Sequence, residues 1–194
     1  MRLGEMASVR SGLVLSRKQA REPMGIRYPL LNLRSINSEG FIEEEQLDLF
    51  EAVEQLAPEY LSQPGDLIIR MSAPYTAVLI DDSTAGIVVS SNFVVIRCNK
   101  KEVIPEYLYW LLNTAEVKKT IYASTGSNML GSVKAKFFAE FEVMPLPMKD
   151  QRIIADMNTL ARKETRLLRQ LAKEKEYLYE QMIHNAYQEF KRGR

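Results

Sequence analysis

Apolar positions follow two different patterns along the chain, and the change falls at residues 141–151, Phe-Glu-Val-Met-Pro-Leu-Pro-Met-Lys-Asp-Gln. Before this segment, short apolar runs alternate with turn residues. After it there is no proline, no glycine until Gly193, and apolar residues recur at helical spacing. The pattern predicts a globular domain over residues 1–147, a proline-containing corner, and one long helix over residues 148–194.

The apolar runs of the first part predict short β-strands separated by turns. They lie at residues 6–15 (two strands split by Ser11-Gly12), 30–33, 67–71, 77–80, 86–89 and 93–98. Pro105 predicts the start of a helix that ends near Asn113, and a second helix follows at 115–123. Residues 43–57 have apolar positions near helical spacing, which predicts a helix or an irregular turn. Closely spaced short strands favour a small curled sheet or barrel, so we predict an α+β fold.

The last segment carries an apolar stripe with heptad steps, in which Glu164 and Glu174 fill two gaps. The stripe consists of Ile153, Met157, Leu160, Leu167, Leu171, Leu178 and Met182. A helix with such a stripe needs a partner in water. The stripe could pair with another helix as a coiled coil or fold back on the domain. The corner prolines and a length of ~65 Å, at ~1.5 Å per residue, favour a coiled-coil dimer.

Charge is unevenly distributed, although the net charge is only +1. Residues 1–37 hold seven Lys or Arg against two Glu, whereas residues 38–66 hold nine acids and no Lys or Arg. This asymmetry suggests two faces with different partners. The basic loop at residues 16–28 suits phosphates, because its cations neutralise backbone charge without reading sequence.

The sequence has few residues that could form a catalytic or metal site. His184 is the only histidine, no phosphate-binding glycine motif is present, and no Cys/His cluster occurs. We therefore predict no enzyme activity, no metal and no cofactor in this chain. Cys98 is the only cysteine, which fits a reducing cytoplasm, and no signal-peptide core or membrane-length apolar run is seen.

Several short motifs, taken in order, resemble the type I restriction-modification DNA-specificity subunit. They are a Gly65-Asp66 strand start, the run at 91–96, Pro105-Glu106-Tyr107-Leu108, Ser124-Thr125-Gly126-Ser127, and the corner that ends in Asp150-Gln151. Leu3-Gly4-Glu5 and Gly12 also fit. The resemblance covers nearly the whole chain. It departs at residues 70–75, which lack the glycine that the family often has after the Gly-Asp strand.

The resemblance implies a non-catalytic subunit that recognises one half of a bipartite DNA target. In that family a full-size subunit carries two recognition domains, whose long helices pair antiparallel and set the distance between half-sites. This chain resembles a half-size form, which implies a homodimer with an interrupted palindrome as its target. The implied partners are methyltransferase subunits, which bind S-adenosylmethionine, and possibly the restriction and translocation subunit.

On this interpretation, certain polar residues are candidates for DNA contact. The candidates for the DNA backbone are Arg17, Lys18, Arg21, Arg27 and Lys134. The candidates for base edges are Arg34, Asn37, Arg70, Ser72, Tyr75, Ser127 and Asn128, because Arg pairs well with guanine and Asn with adenine. Ser124 and Thr125 open the same polar loop. The seven stripe residues are the candidates for the dimer interface.

Two alternatives remain open from the sequence. One is a coiled-coil adaptor that binds protein through its acidic residues and reads no DNA sequence. The other is an orphan or inverting variant that exchanges DNA specificity. Co-purification with a DNA methyltransferase would favour the reader over the adaptor.

Overall fold

A computed structural model describes residues 1–21, 25–37, 39–99, 101–124 and 133–193. The chain divides into two compact units, Met1–Ala155 and Asp156–Arg194. The first unit holds all the strands and the short helices, and the second belongs to the long helix. The α+β prediction is confirmed.

The described residues contain seven strands, which form two open sheets rather than a closed barrel. The strands are β1 (Ala7–Ser11), β2 (Ile26–Leu31), β3 (Asp48–Ala52), β4 (Asp66–Arg70), β5 (Ala77–Leu79), β6 (Val88–Val89) and β7 (Phe93–Cys98). The first sheet is antiparallel in the order β1-β7-β4-β5, and the second has the order β3-β2-β6, with β2 and β6 parallel.

The first sheet is buried on both faces, which explains the continuous apolar runs of β4 and β7. Leu67 and Ile69 face one core, which also contains residues of the short helices. Ile68 and Val95 face a second core, shared with Leu31 of the second sheet. Because the central positions of these strands meet apolar neighbours on both faces, residues 67–69 and 93–96 lack the usual alternation of polar and apolar residues.

The predicted helix or turn at residues 43–57 is wrong in its main part, which is strand β3. Phe50 and Ala52 are buried while Leu49 is exposed, so the burial has the two-residue period of a strand. β3 pairs antiparallel with β2, with Tyr28 opposite Phe50. The spacing of apolar residues within 43–57 carries no information about β2, the distant strand with which this segment pairs.

The N-terminal prediction also needs correction, because only one of its two strands forms. Residues 3–6 are a short helix, α1 (Leu3–Met6), and β1 follows directly. The expected second strand is replaced by a single parallel bridge between Leu13 and Ser90, and a 3₁₀ turn follows at Leu15–Arg17. The remaining helices of the first unit are α2 (Pro105–Asn113), α3 (Ala115–Ser124) and α4 (Ala135–Glu140).

The long helix α5 (Met148–Arg192) begins where the corner sequence predicts, and its first eight residues belong to the first unit. Gln151 is buried there, and both the oxygen and the nitrogen of its side-chain amide are hydrogen-bonded to backbone atoms around it. Its side-chain oxygen accepts from Ile104 N–H at 2.9 Å, and its amide donates to Leu146 O at 2.8 Å and to Glu102 O at 3.3 Å. This side chain therefore ties the helix start to the segment that leads into α2.

No helix among the described residues is long and apolar enough to span a membrane.

Candidate nucleic-acid interface

The turn at residues 90–92 holds the chain segment that leads into the basic loop. Leu13 N–H donates to Val89 O at 2.7 Å, and Ser91 N–H donates back to Leu13 O at 2.8 Å. Gly12 makes this approach possible, because a Cβ at that position would lie only 2.2 Å from Ser90 O. The chain segment that carries the cations of the basic loop therefore begins beside this turn.

The same turn also contacts the end of β4. Met71 N–H donates to Asn92 O at 3.1 Å, and Val133 N–H donates to Met71 O at 2.8 Å. Arg70 and Lys134 are the sequence neighbours of these two residues. Backbone hydrogen bonds thus bring three candidate segments, far apart in sequence, around residues 90–92.

Arg70 has an unusual environment within this cluster. Its Nε–H is buried and finds no acceptor in the part of the chain that the structure describes. Burial lowers the pKa of the Arg70 guanidinium, which nevertheless stays charged because arginine is not deprotonated in proteins. A buried N–H without an acceptor is costly in the free protein, while the side chain as a whole is only half-buried.

Three of the candidate cations form ion pairs with the acidic segment, so the expected separation into a basic and an acidic face is wrong. Arg27 donates from Nε to Glu51 at 2.9 Å across β2 and β3. Lys18 pairs with Glu54 and Arg34 with Asp48. The antiparallel pairing of β2 with β3 brings the two segments into one surface. Glu54 raises the pKa of Lys18 through a hydrogen bond and its charge.

Arg17 and Arg21 differ from these three residues. Both are exposed, and neither forms an ion pair with another residue that the structure describes. They are the cations of the basic loop best able to meet a phosphate.

The other candidates have varied surroundings. Asn37 uses its side-chain oxygen to accept from the backbone N–H groups of Glu39 and Phe41, so it shapes a turn. Tyr75 is a correction: it has a φ of 54° and is only 4% exposed in the main core, so in this conformation it cannot reach a base. It takes the left-handed conformation that a glycine adopts most easily.

The remaining candidates are Ser72, Lys134 and residues of the polar loop. Ser72 is half-buried two residues after the end of β4, and Lys134 is exposed before α4. Ser124 is exposed and donates its hydroxyl to Ile121 O at the end of α3. Thr125, Ser127 and Asn128 lie outside the described residues.

Sequence reasoning missed two arginines near the first sheet. Arg97 binds Asp66 through both Nε and a terminal nitrogen at 2.7 Å, and this hydrogen bonding raises the pKa of Arg97. Asp66 is 1% exposed, so the aspartate of the Gly-Asp strand start serves as the buried carboxylate partner of Arg97. Arg10 is half-buried nearby, and burial together with the charge of Arg97 lowers its pKa. Neither arginine lies in a basic run that the sequence would single out.

The stripe on α5 is solvent-exposed in the single chain. Its seven members are between 49% and 66% exposed: Ile153, Met157, Leu160, Leu167, Leu171, Leu178 and Met182. A sustained apolar surface of this kind on a soluble helix indicates an interaction site.

The family model for the type I restriction modification DNA specificity domain matches residues 1–176. The chain belongs to the type I restriction-modification DNA specificity family. Subunits of this family recognise DNA without catalysis and assemble with methyltransferase subunits. An HsdS-like specificity domain reads DNA, and this favours the reader over the adaptor. No curated protein sequence matches this chain.

Three solved structures share the fold of this specificity domain. One is a chain from a study of complex assembly and conformational transition of the type I R-M system, with a TM-score of 0.67 and 20% identity over 90% of this chain and 44% of that chain. The HsdS subunit from Thermoanaerobacter tengcongensis has a TM-score of 0.65 and 21% sequence identity, over 90% of this chain and 44% of that chain. The S subunit from M. genitalium has a TM-score of 0.50 and 15% identity, over 85% of this chain and 40% of that chain. The chain therefore spans less than half the length of each.

Proposed function

We propose that this chain reads one half of a bipartite DNA target, pairs with a second copy through α5, and recruits methyltransferase subunits to the site. S-adenosylmethionine would bind to those partners and not to this chain. A restriction subunit could join the same complex. The two-fold symmetry of a homodimer would make the target an interrupted palindrome.

The observation that carries the DNA-reading part is the gathering of segments around residues 90–92. Exposed Arg17 and Arg21 supply charge for phosphates, and half-buried Arg70 supplies a fork of donors that suits the guanine edge. Phosphate contacts fix the protein on the duplex, while base contacts select the sequence. Leu13, which precedes the basic loop, and Met71, which follows Arg70, are both hydrogen-bonded to this turn or its flanking strand end.

Homodimer formation is supported by the exposed apolar stripe on α5, which a second copy of the same helix could cover. The paired helices of the two copies would set the gap between half-sites, so lengthening α5 after Gln151 would change the gap and leave the bases unchanged.

Recruitment of methyltransferase subunits is supported by a second apolar row on α5. Leu168, Tyr179 and Ile183 are 56% to 71% exposed and lie beside the first stripe at helical spacing. One partner helix covers one stripe, so the second row leaves a surface for another protein.

The basic-loop assignment is tested by replacing Arg17, Lys18 and Arg21 with Ala in the complex with the methyltransferase. We expect affinity to fall equally for all DNA sequences, and the slope of log affinity against log salt to flatten by about 0.9 for each lost phosphate contact. Fluorescence anisotropy over a salt series measures both quantities.

A matched triple variant, Lys101→Ala, Lys119→Ala and Lys136→Ala, removes the same charge from exposed positions elsewhere in the first unit. It should leave the slope nearly unchanged. An unaltered slope in the Arg17, Lys18 and Arg21 variant would contradict the assignment.

A further inference from the structure

An apolar groove of about 600 Å³ lies between α2, α3, α4 and the segment that leads into α5. Partly exposed aromatic rings form much of its lining, with Phe137 and Phe141 in contact at a centroid distance of 5.9 Å. Met144 stands at its edge and is 85% exposed. Nothing in the proposed DNA reading uses this surface.

The groove wall is fixed by backbone hydrogen bonds to the first residues of the chain. Leu3 N–H donates to Phe141 O at 2.9 Å, and Val143 N–H donates to Met1 O at 2.8 Å. The Met1 ammonium donates back to Val143 O at 3.1 Å. A preformed wall lowers the ordering cost of binding, so the groove is suited to receive a side chain.

The rim of the groove is acidic. Glu116, Glu140 and Glu142 line it, and no lysine or arginine is among its lining residues. Lys136 approaches Glu140 at 3.7 Å, but both side chains are exposed and such pairs are weak. The chemistry therefore fits an apolar or aromatic group flanked by cations.

The charges on the α5 stripe favour antiparallel pairing of two copies. A parallel pair in register would set Glu164 and Glu174 each against the same glutamate of the second copy, which is repulsive. An antiparallel register with Ile153 opposite Leu178 sets Leu160 opposite Leu171 and leaves each glutamate facing an apolar residue.

This register leaves the end of each helix without a helical partner. Met148, where α5 begins, falls opposite Ile183 of the second copy, so residues 184–192 extend beyond it by ~13 Å at about 1.5 Å per residue. The extension carries Phe190, which is 76% exposed, followed by Lys191 and Arg192 in the last turn. In this register it lies beyond the start of the other copy's α5, and residues 140–144, which precede that start in sequence, line the groove.

We propose that Phe190 of one copy enters the apolar groove of the other, with Lys191 and Arg192 against its acidic rim. This contact rests on the proposed homodimer and adds a second interface to the stripe. It joins the helix end of each copy to the DNA-reading domain of its partner.

The test is the homodimer dissociation constant of the full chain, measured by analytical ultracentrifugation. Phe190→Ala should raise the constant about tenfold, the ratio that corresponds to ~1.4 kcal/mol. Tyr122→Ala is the control, since Tyr122 is an exposed aromatic residue of α3 that belongs neither to the stripe nor to the groove lining. It should leave the constant unchanged.

A charge exchange tests the rim. The pair Glu140→Lys and Glu142→Lys should weaken the dimer about tenfold, as should Lys191→Glu with Arg192→Glu. Combining all four should restore most of the wild-type affinity, because the charges are again complementary. Circular dichroism verifies that each variant is folded, and all four positions are exposed.

The outcomes separate this contact from the dimer itself. A dimer that Leu171→Asp dissociates, but that Phe190→Ala and the charge exchange leave unaltered, would overturn the groove contact and keep the proposed function. A chain that is monomeric at all concentrations would overturn both.

Discussion

Arg70 stands at the end of β4 with a buried Nε–H that lacks an acceptor among the described residues. Its neighbour in sequence, Met71, is hydrogen-bonded to Asn92 at the turn that gathers the candidate segments. Buried donors without an acceptor are rare in native proteins. The terminal nitrogens of this half-buried side chain are the donors that could meet a base edge.

We therefore predict opposite effects of Arg70→Met on binding and on stability. Affinity for the cognate DNA should fall by a factor of about 10 to 100, corresponding to ~1–3 kcal/mol. The melting temperature should stay equal or rise, because an unpaired buried donor is replaced by an apolar side chain. Anisotropy and differential scanning fluorimetry measure the two effects.

Arg70→Lys is the matched control, since it keeps the charge but loses the two-pronged donor geometry. It should retain binding to non-cognate DNA and lose discrimination. Equal losses on cognate and non-cognate DNA for Arg70→Met would instead identify a phosphate contact and reject the base-reading role.

At the scale of elements, Gln151 joins the start of α5 to the segment before α2. Its amide makes three hydrogen bonds to backbone atoms of Ile104, Glu102 and Leu146. The side chain is 1% exposed, so water cannot replace these partners if it is lost. A glutamine suits this position of the corner motif because its side chain can both accept from and donate to the buried backbone groups around it.

Gln151→Ala should destabilise the fold by about 2–3 kcal/mol, because it leaves a buried N–H without an acceptor. For a protein of this size the melting temperature should fall by about 2–4 °C per kcal/mol. Gln151→Glu should be similarly harmful, since a carboxylate cannot donate to two carbonyl oxygens.

The control is Gln170→Ala, on an exposed turn of the same helix, which should change the melting temperature by less than about 1 °C. If Gln151→Ala were as mild as this control, the hydrogen bonds of Gln151 would not hold the joint.

The elements also show what sequence reasoning could and could not predict. Strand β7 and helix α2 were predicted at their observed bounds, because an apolar run bounded by turn residues and a proline start are local signals. Strand β3 was missed, since its period becomes visible only when Phe50 is paired with Tyr28 of β2.

The same limit applies to the candidate site. The basic loop could be read from its composition, but the ion pair between Arg27 and Glu51 depends on the cross-strand register of β2 and β3. The burial of Tyr75 and the missing acceptor of Arg70 are likewise properties of the assembled core. The sequence alone could therefore not give the state of each candidate side chain.

At the scale of the whole molecule, we propose that two copies of a DNA-specificity domain act as one symmetric reader. The family and the fold are shown by the family match and the structural neighbours. The exposed stripe on α5 supplies the surface for pairing. Because a two-fold dimer presents the same DNA-reading surface twice, its target should consist of two inverted copies of one half-site.

The most direct measurement is the methylome of cells that carry this chain with its methyltransferase and no other specificity subunit. We expect one methylated motif made of two half-sites that are inverted copies of each other, separated by a fixed gap. Insertion of one heptad after Gln151 should change the gap and preserve the half-sites. A motif with two different halves would contradict the symmetric dimer.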